Sequence, residues 1–169
     1  MKIRYLIAAI GCGLLLSGCT KSNIVHTGET QIENADPDFE MYNDIEIDLD
    51  QLTEDVNEVG LDPDIYPMAS AIRFSIRLDE EVVDIDVVVK DGTSNEDAAW
   101  YAGEAIKVVN DQVASQDFSY AESDEQYFGG LYQDATINLS LYYESDFPDG
   151  DSFYETSVEP DTYGVFVID

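Results

Sequence analysis

The sequence predicts an α+β domain: an antiparallel sheet of about five strands in the order ββαβββ, a helix packed on one face, and an amphipathic helix in front. Three observations carry that expectation. Apolar residues alternate with polar ones over 72–78, 83–90 and 135–143, the two-residue period of half-buried strands. Between the second and third runs, Ala99, Ala102, Ile106, Val109 and Val113 recur at helical spacing. A single helix among several strands favours an antiparallel sheet with helix cover on one side.

The chain opens on Met1-Lys2-Ile3-Arg4 and an uncharged, largely apolar run from Tyr5 to Ser17. That run is shorter than the roughly 20 residues that span a bilayer, and a basic start before a short apolar run marks a secretory signal peptide. Its end, Leu16-Ser17-Gly18-Cys19, resembles the lipobox of bacterial lipoproteins. The resemblance implies removal of residues 1–18 and a diacylglyceryl group on Cys19. It also implies residence on the extracytoplasmic face of a cell membrane, with the bilayer as a partner through that anchor. Thr20, where many inner-membrane lipoproteins carry Asp, also allows an outer-membrane site in two-membrane cells. A second box, Ala9-Ile10-Gly11-Cys12, begins with a small residue and leaves only Tyr5–Ile10 as apolar region; more apolar residues then follow it. The lipidation that the resemblance implies therefore falls on Cys19.

Residues 19–42 form the lipidated end and a polar tether holding Gly28, Pro37 and the only histidine, His26, which reads as a solvated side chain. The domain then occupies 43–169. Ile45, Leu49, Leu52, Val56 and Val59 stripe one face of a helix over 45–60, with Gly60 as its C-cap and Asp62-Pro63 beyond. Polar–apolar alternation over Asp44–Asp50 leaves a strand as the alternative for its first turn.

Ile72, Phe74, Ile76 and Leu78 make the first strand, and Val83, Ile85, Val87 and Val89 the second. Matching their apolar faces sets Leu78 opposite Val83, Arg77 opposite Asp84 and Ser75 opposite Asp86 around a loop at 79–82. Asp91-Gly92 turns the chain, and Ser94 followed by Asp97 opens the central helix with a capping-box pattern. Trp100, the only tryptophan, widens that helix's apolar face as a core anchor. Residues 118–121 make a short candidate strand, and Gly129-Gly130 carries a hairpin signal. Ala135, Ile137, Leu139, Leu141 and Tyr143 give a clear strand. Phe153–Val158 and Tyr163–Ile168 make a closing hairpin around Pro160-Asp161.

Charge narrows the function. Without residues 1–18 the remaining 151 residues keep five basic side chains against all 37 acidic ones, a formal charge of −32. Such a chain repels phosphate, so nucleic acid is excluded as a partner. With Cys12 removed and Cys19 acylated no thiol remains, which closes off cysteine nucleophiles, thiolate metal sites and redox chemistry. The domain has no histidine, no Ser-x-x-Lys, no phosphate loop and no zinc-ligand spacing. A nucleophilic triad therefore lacks its base.

Three kinds of chemistry remain. The polar second face of the sheet, with Arg73, Arg77, Asn138, Ser140 and Tyr142, suits a protein or cell-wall partner. Arg73 and Arg77 are read first as sheet partners and second as ligand groups. Ca2+ is the alternative, on Asp146, Asp149 and Asp151 around Pro148 and Gly150, with Asp62 and Asp64 as the next cluster. Neither matches the EF-hand loop, since Ser145, Phe147 and Thr156 fall where ligands belong. No other cofactor is implied. Tyr120, Tyr127, Tyr132, Tyr142, Tyr143, Tyr154 and Tyr163 also suit glycan stacking, although strand packing explains most of them. A carboxylate hydrolase needs only two acids about 5–10 Å apart, which so acidic a chain supplies at nearly any spacing. The reading drawn is a membrane-anchored, non-enzymatic surface lipoprotein that binds through its open sheet face.

Overall fold

A computed structural model describes residues 47–168. The signal segment, Cys12, Cys19, the tether and the start of the first helix lie outside the described residues.

The first helix, α1, spans Leu49–Gly60. Asp48 caps it, its side chain accepting from the N–H groups of Asp50 and Gln51, which satisfies two donors that the first turn leaves open. This cap excludes a strand from 48 onward, since Asp48 is the point at which the chain leaves extended geometry. Leu52, Val56 and Gly60 are buried, whereas Leu49 and Val59 at the stripe's margins stay largely exposed. Gly60 is the last helical residue and Leu61 the cap, a correction to the expected glycine cap. Gly60 is needed for closeness instead: a Cβ there would meet Ile72 Cδ1 at 2.5 Å and Val108 Cγ1 at 3.5 Å.

Strands β1 (Ala69–Arg77) and β2 (Val82–Val89) form an antiparallel hairpin. Its faces are those the alternation predicts, but the register differs by two residues. Arg73 pairs with Asp86, Ser75 with Asp84 and Arg77 with Val82. The turn comprises residues 78–81, with Glu81 at φ 56° closing it; Leu78 leaves the sheet and is about half exposed.

Helix α2 spans Asn95–Gln116. Ser94 Oγ accepts the Asp97 N–H at 3.1 Å and donates to its carboxylate at 2.6 Å, the cap that the sequence predicts. The buried aromatic on α2 is Tyr101, and Trp100 is 48% exposed, which corrects the expected core anchor. At 100° per residue, Trp100 lies off the line through Ala98, Ala102, Ala105 and Val109, and Tyr101 lies on the side facing α1. The Tyr101 hydroxyl donates to the Gly60 carbonyl at 2.8 Å, joining the two helices.

The third strand, β3 (Thr136–Tyr143), pairs with β2 in parallel, Val82 beside Thr136 through Val89 beside Tyr143. Strand β4 (Tyr154–Val158) then pairs antiparallel with β3. The described residues thus form a four-stranded mixed sheet in the order β1-β2-β3-β4, in place of about five antiparallel strands. The cause is the crossover. Helix α2 returns the chain to the end of the sheet where β2 began, so β3 must run in the same direction as β2. Central position explains the unbroken Val87-Val88-Val89 run, buried on both faces.

Three further expectations change. Residues 118–121 do not form a strand, and Phe118 is exposed. Gly129-Gly130 opens a single 3-10 turn, Gly130–Tyr132, rather than a hairpin. Residues 162–168 are not a strand either. They run back along α2, with Tyr163 and Phe166 against Phe128 and the Ile168 carbonyl accepting from Asn95 Nδ2. The core lies between the helices and one sheet face: Ile72, Val83, Ile85, Val87, Ile137, Leu139 and Leu141 meet Leu52, Val56, Ala102, Ile106 and Val109.

Candidate interaction face

Because both helices cover the same side, the other side of the sheet presents the alternate residues of all four strands. Strand β1 gives Arg73, Ser75 and Arg77; β2 gives Asp84, Asp86 and Val88; β3 gives Asn138, Ser140 and Tyr142; β4 gives Glu155 and Ser157. All five residues that the sequence assigns to a binding face therefore share it. Register, set by the turn at 78–81 and the α2 crossover, brings them side by side.

These residues are largely engaged with one another. Arg73 donates through Nε and Nη2 to Asp86 Oδ2, at 3.0 and 2.8 Å, and its guanidinium lies 4.7 Å from the centre of the Phe147 ring. Arg77 donates to Glu80 at 2.8 Å and reaches Asp84 diagonally across the hairpin. Asn138 Nδ2 donates to the other Asp84 oxygen at 2.9 Å, and Ser157 Oγ donates to Asn138 Oδ1 at 2.9 Å. A continuous chain of polar contacts thus runs across all four strands: Arg77, Asp84, Asn138, Ser157. Burial pushes the Asp84 carboxyl up, but the Asn138 amide and the Arg77 guanidinium outweigh it and hold the group below its ordinary value. The same partners, Asp84 and Glu80, raise the Arg77 guanidinium.

Tyr142 is less available than its position suggests, since Phe147 packs edge-on against it with ring centres 5.3 Å apart. Beside it an open trough of about 570 Å3 is lined by Tyr142 and residues 150–155. A second trough of about 390 Å3, lined by Asn138, Ser140, Glu155 and Ser157 among others, adjoins it through Glu155. Ser152 Oγ donates to Glu155 at 2.5 Å.

Asp146, Asp149 and Asp151 sit on the loop between β3 and β4. The loop is held by its backbone, with the Gly150 N–H donating to the Asp146 carbonyl at 2.5 Å. Asp62 caps its own turn by accepting the Asp64 N–H at 2.9 Å. Among the described residues no group of three or more His, Cys, Asp or Glu side chains is arranged to hold a metal ion.

Charge is distributed unevenly. Each of the four cations among the described residues has a partner. Besides the two arginines, Lys90 donates to the Pro67 carbonyl at 2.6 Å and Lys107 pairs with Glu104 at 3.2 Å. No lysine, arginine or histidine follows Lys107, while Asp151, Glu155, Glu159 and Asp161 lie on β4 and the turns beside it.

Sequence reasoning missed Asn110. This fully buried side chain on α2 accepts the Leu131 N–H at 3.0 Å and donates to the Ala121 carbonyl at 3.0 Å, docking the loop that leads into β3. An asparagine inside an otherwise apolar helical stripe was the available signal.

The fold and face define a two-layer α+β domain with a mixed sheet open on one side. Comparison with protein-family models, curated proteins and solved structures found no match to this chain. No helix among the described residues is long and apolar enough to cross a membrane.

Proposed function

We propose that this chain is a surface lipoprotein, anchored to a membrane through an acylated Cys19, whose domain binds a protein or cell-wall partner without catalysing a reaction. The observation that supports it best is the one-sided helix layer, which leaves a face built from all four strands free of helix cover among the described residues, with Phe147 of the β3–β4 loop packed over its Arg73–Tyr142 end. The lipobox resemblance at Leu16–Cys19 supports the anchor. The polar chain from Arg77 to Ser157 supports recognition over catalysis, since it holds its side chains in fixed pairs and leaves no base beside a nucleophile.

Photo-crosslinking in intact cells tests this reading. A crosslinker at Ser140 or Ser157 is expected to capture a discrete partner, and one at Glu54, exposed on α1, is not. Capture from Glu54 with none from the sheet face would assign binding to the helix side. For the anchor, Cys19→Ala is expected to abolish incorporation of labelled fatty acid and release the protein from the membrane fraction. Unchanged labelling would exclude Cys19.

A further inference from the structure

The two edges of the sheet are built differently. Strand β1 carries Arg73 and Arg77 and an irregularity between Ala69 and Ala71, devices that keep other strands from adding to an edge. Strand β4 carries neither: its sequence is Tyr-Glu-Thr-Ser-Val, with no lysine, proline or bulge, and among the described residues it pairs only with β3. Its outer row of backbone N–H and C=O groups is a template for one more strand.

Two properties specify what would fit there. On the open face β4 presents Glu155 and Ser157, between the two troughs that Glu155 joins. That end of the face is anionic: among the described residues the four cations pair with other groups, and none lies on β3, β4 or the loop between them. On the opposite face Tyr154 and Val158 are half-buried apolar residues at the margin of the core. An added strand places successive side chains on alternate faces. We infer that β4 accepts an extended peptide segment of a protein partner in which Lys or Arg alternates with apolar residues. The basic side chains lie along Glu155 and Asp151, and the apolar ones extend the core beside Tyr154 and Val158. Main-chain pairing supplies affinity and the alternation supplies specificity. This inference rests on the binding-face reading and narrows it to one edge and one partner chemistry.

Full-length protein in a neutral detergent, titrated with synthetic heptapeptides, tests it. A lysine–valine alternating peptide is expected to bind and to protect the backbone amides of residues 154–158 from hydrogen exchange. The block isomer, with lysines and valines segregated, and a backbone N-methylated version are expected to bind at least roughly tenfold more weakly. Glu155→Gln is expected to weaken the alternating peptide severalfold at an unchanged melting temperature, and Glu155→Lys to weaken it further. Equal affinity for all three cationic peptides would reduce the effect to bulk charge and overturn the inference. So would protection of β1 instead of β4, or protection of β4 by wall-glycan fragments and not by peptide. Crosslinking from Ser140 or Ser157 without peptide protection of β4 would overturn this inference and leave the binding face standing; loss of that crosslinking would remove the face itself.

Discussion

Asn110 and Gly129 compete for one volume: a Cβ built on Gly129 would overlap the Asn110 carboxamide. Gly129 also sits at φ 117°, where a side chain is strained. The glycine is therefore the counterpart of a buried amide that holds the α2–β3 loop against the helix. Asn110→Ala would leave the Leu131 N–H without a partner and the Ala121 carbonyl with only the Gly130 N–H, and about 2 kcal/mol of stability is expected to be lost. Gly129→Ala is expected to cost about as much through overlap and backbone strain. Urea unfolding of each variant measures it; a loss near zero for Asn110→Ala would show that the loop docks by other means.

Gly60 presents a milder form of the same constraint. The atom that a new Cβ would meet first is Ile72 Cδ1, the far end of a flexible side chain. Gly60→Ala is expected to destabilise by about 1–2 kcal/mol. In an Ile72→Val background, where that methyl is gone, the added cost is expected to fall below about 1 kcal/mol. A double-mutant cycle in urea reads this coupling, and additivity of the two changes would place the crowding elsewhere.

Asp84 gives the polar face an acid-sensitive component. A carboxyl held below its unfolded value, 3.8, stabilises the fold above that pH, and the contribution disappears as the pH falls through the lower folded value. Most other acids on this chain repel one another, so protonation acts in the opposite sense on the whole molecule. The difference between wild type and Asp84→Asn isolates the term. Their urea midpoints are expected to be furthest apart near neutrality and to converge below pH 3.8. A gap that stays constant down to acid pH would mean that the Arg77 and Asn138 contacts do not favour the ionised carboxylate.

The alkaline side depends on two buried phenols. Tyr101 donates to the Gly60 carbonyl and Tyr132 to the Ile106 carbonyl, at 2.8 and 2.9 Å. Burial raises both, with Tyr66 adding to Tyr101 and Asp111 to Tyr132. A raised folded value means that the unfolded chain ionises first, so their stabilisation is complete below pH 10 and is lost as the pH climbs beyond it. Two tyrosines are expected to stay protonated in an ultraviolet titration until the far-ultraviolet circular dichroism collapses. Tyr101→Phe is expected to remove one of them and, by orphaning the Gly60 carbonyl, to cost about 1–2 kcal/mol. Free ionisation of all tyrosines before unfolding would contradict the burial.

Much of this architecture was legible from residue periods alone. Alternation assigned Arg73, Arg77, Asn138, Ser140 and Tyr142 to one face, and the Ser94–Asp97 pair marked the start of α2. Strand direction was not legible, because alternation over 135–143 reads the same in a parallel or an antiparallel neighbour. The Val87-Val88-Val89 run was the one local sign of a central strand covered on both sides. The segment 162–168 alternates as well, but its inward residues meet Phe128 and α2 rather than another strand. Tertiary packing decided that outcome, and no window of a few residues contains it. For Asn110 the sequence offered a polar residue in an apolar stripe but not what it docks, since its partners at 121 and 131 are backbone groups with no side-chain signature.

The parallel contact between β2 and β3 divides the sheet into two hairpins, one closed over residues 78–81 and the other over 144–153. Each hairpin zips locally, but the seam between them joins residues 54 positions apart, as Asp84 and Asn138 are. Closing that distance is the largest entropic step in completing the sheet. The seam therefore closes the longest loop in the sheet, and the Asn138–Asp84 hydrogen bond ties the two halves across it.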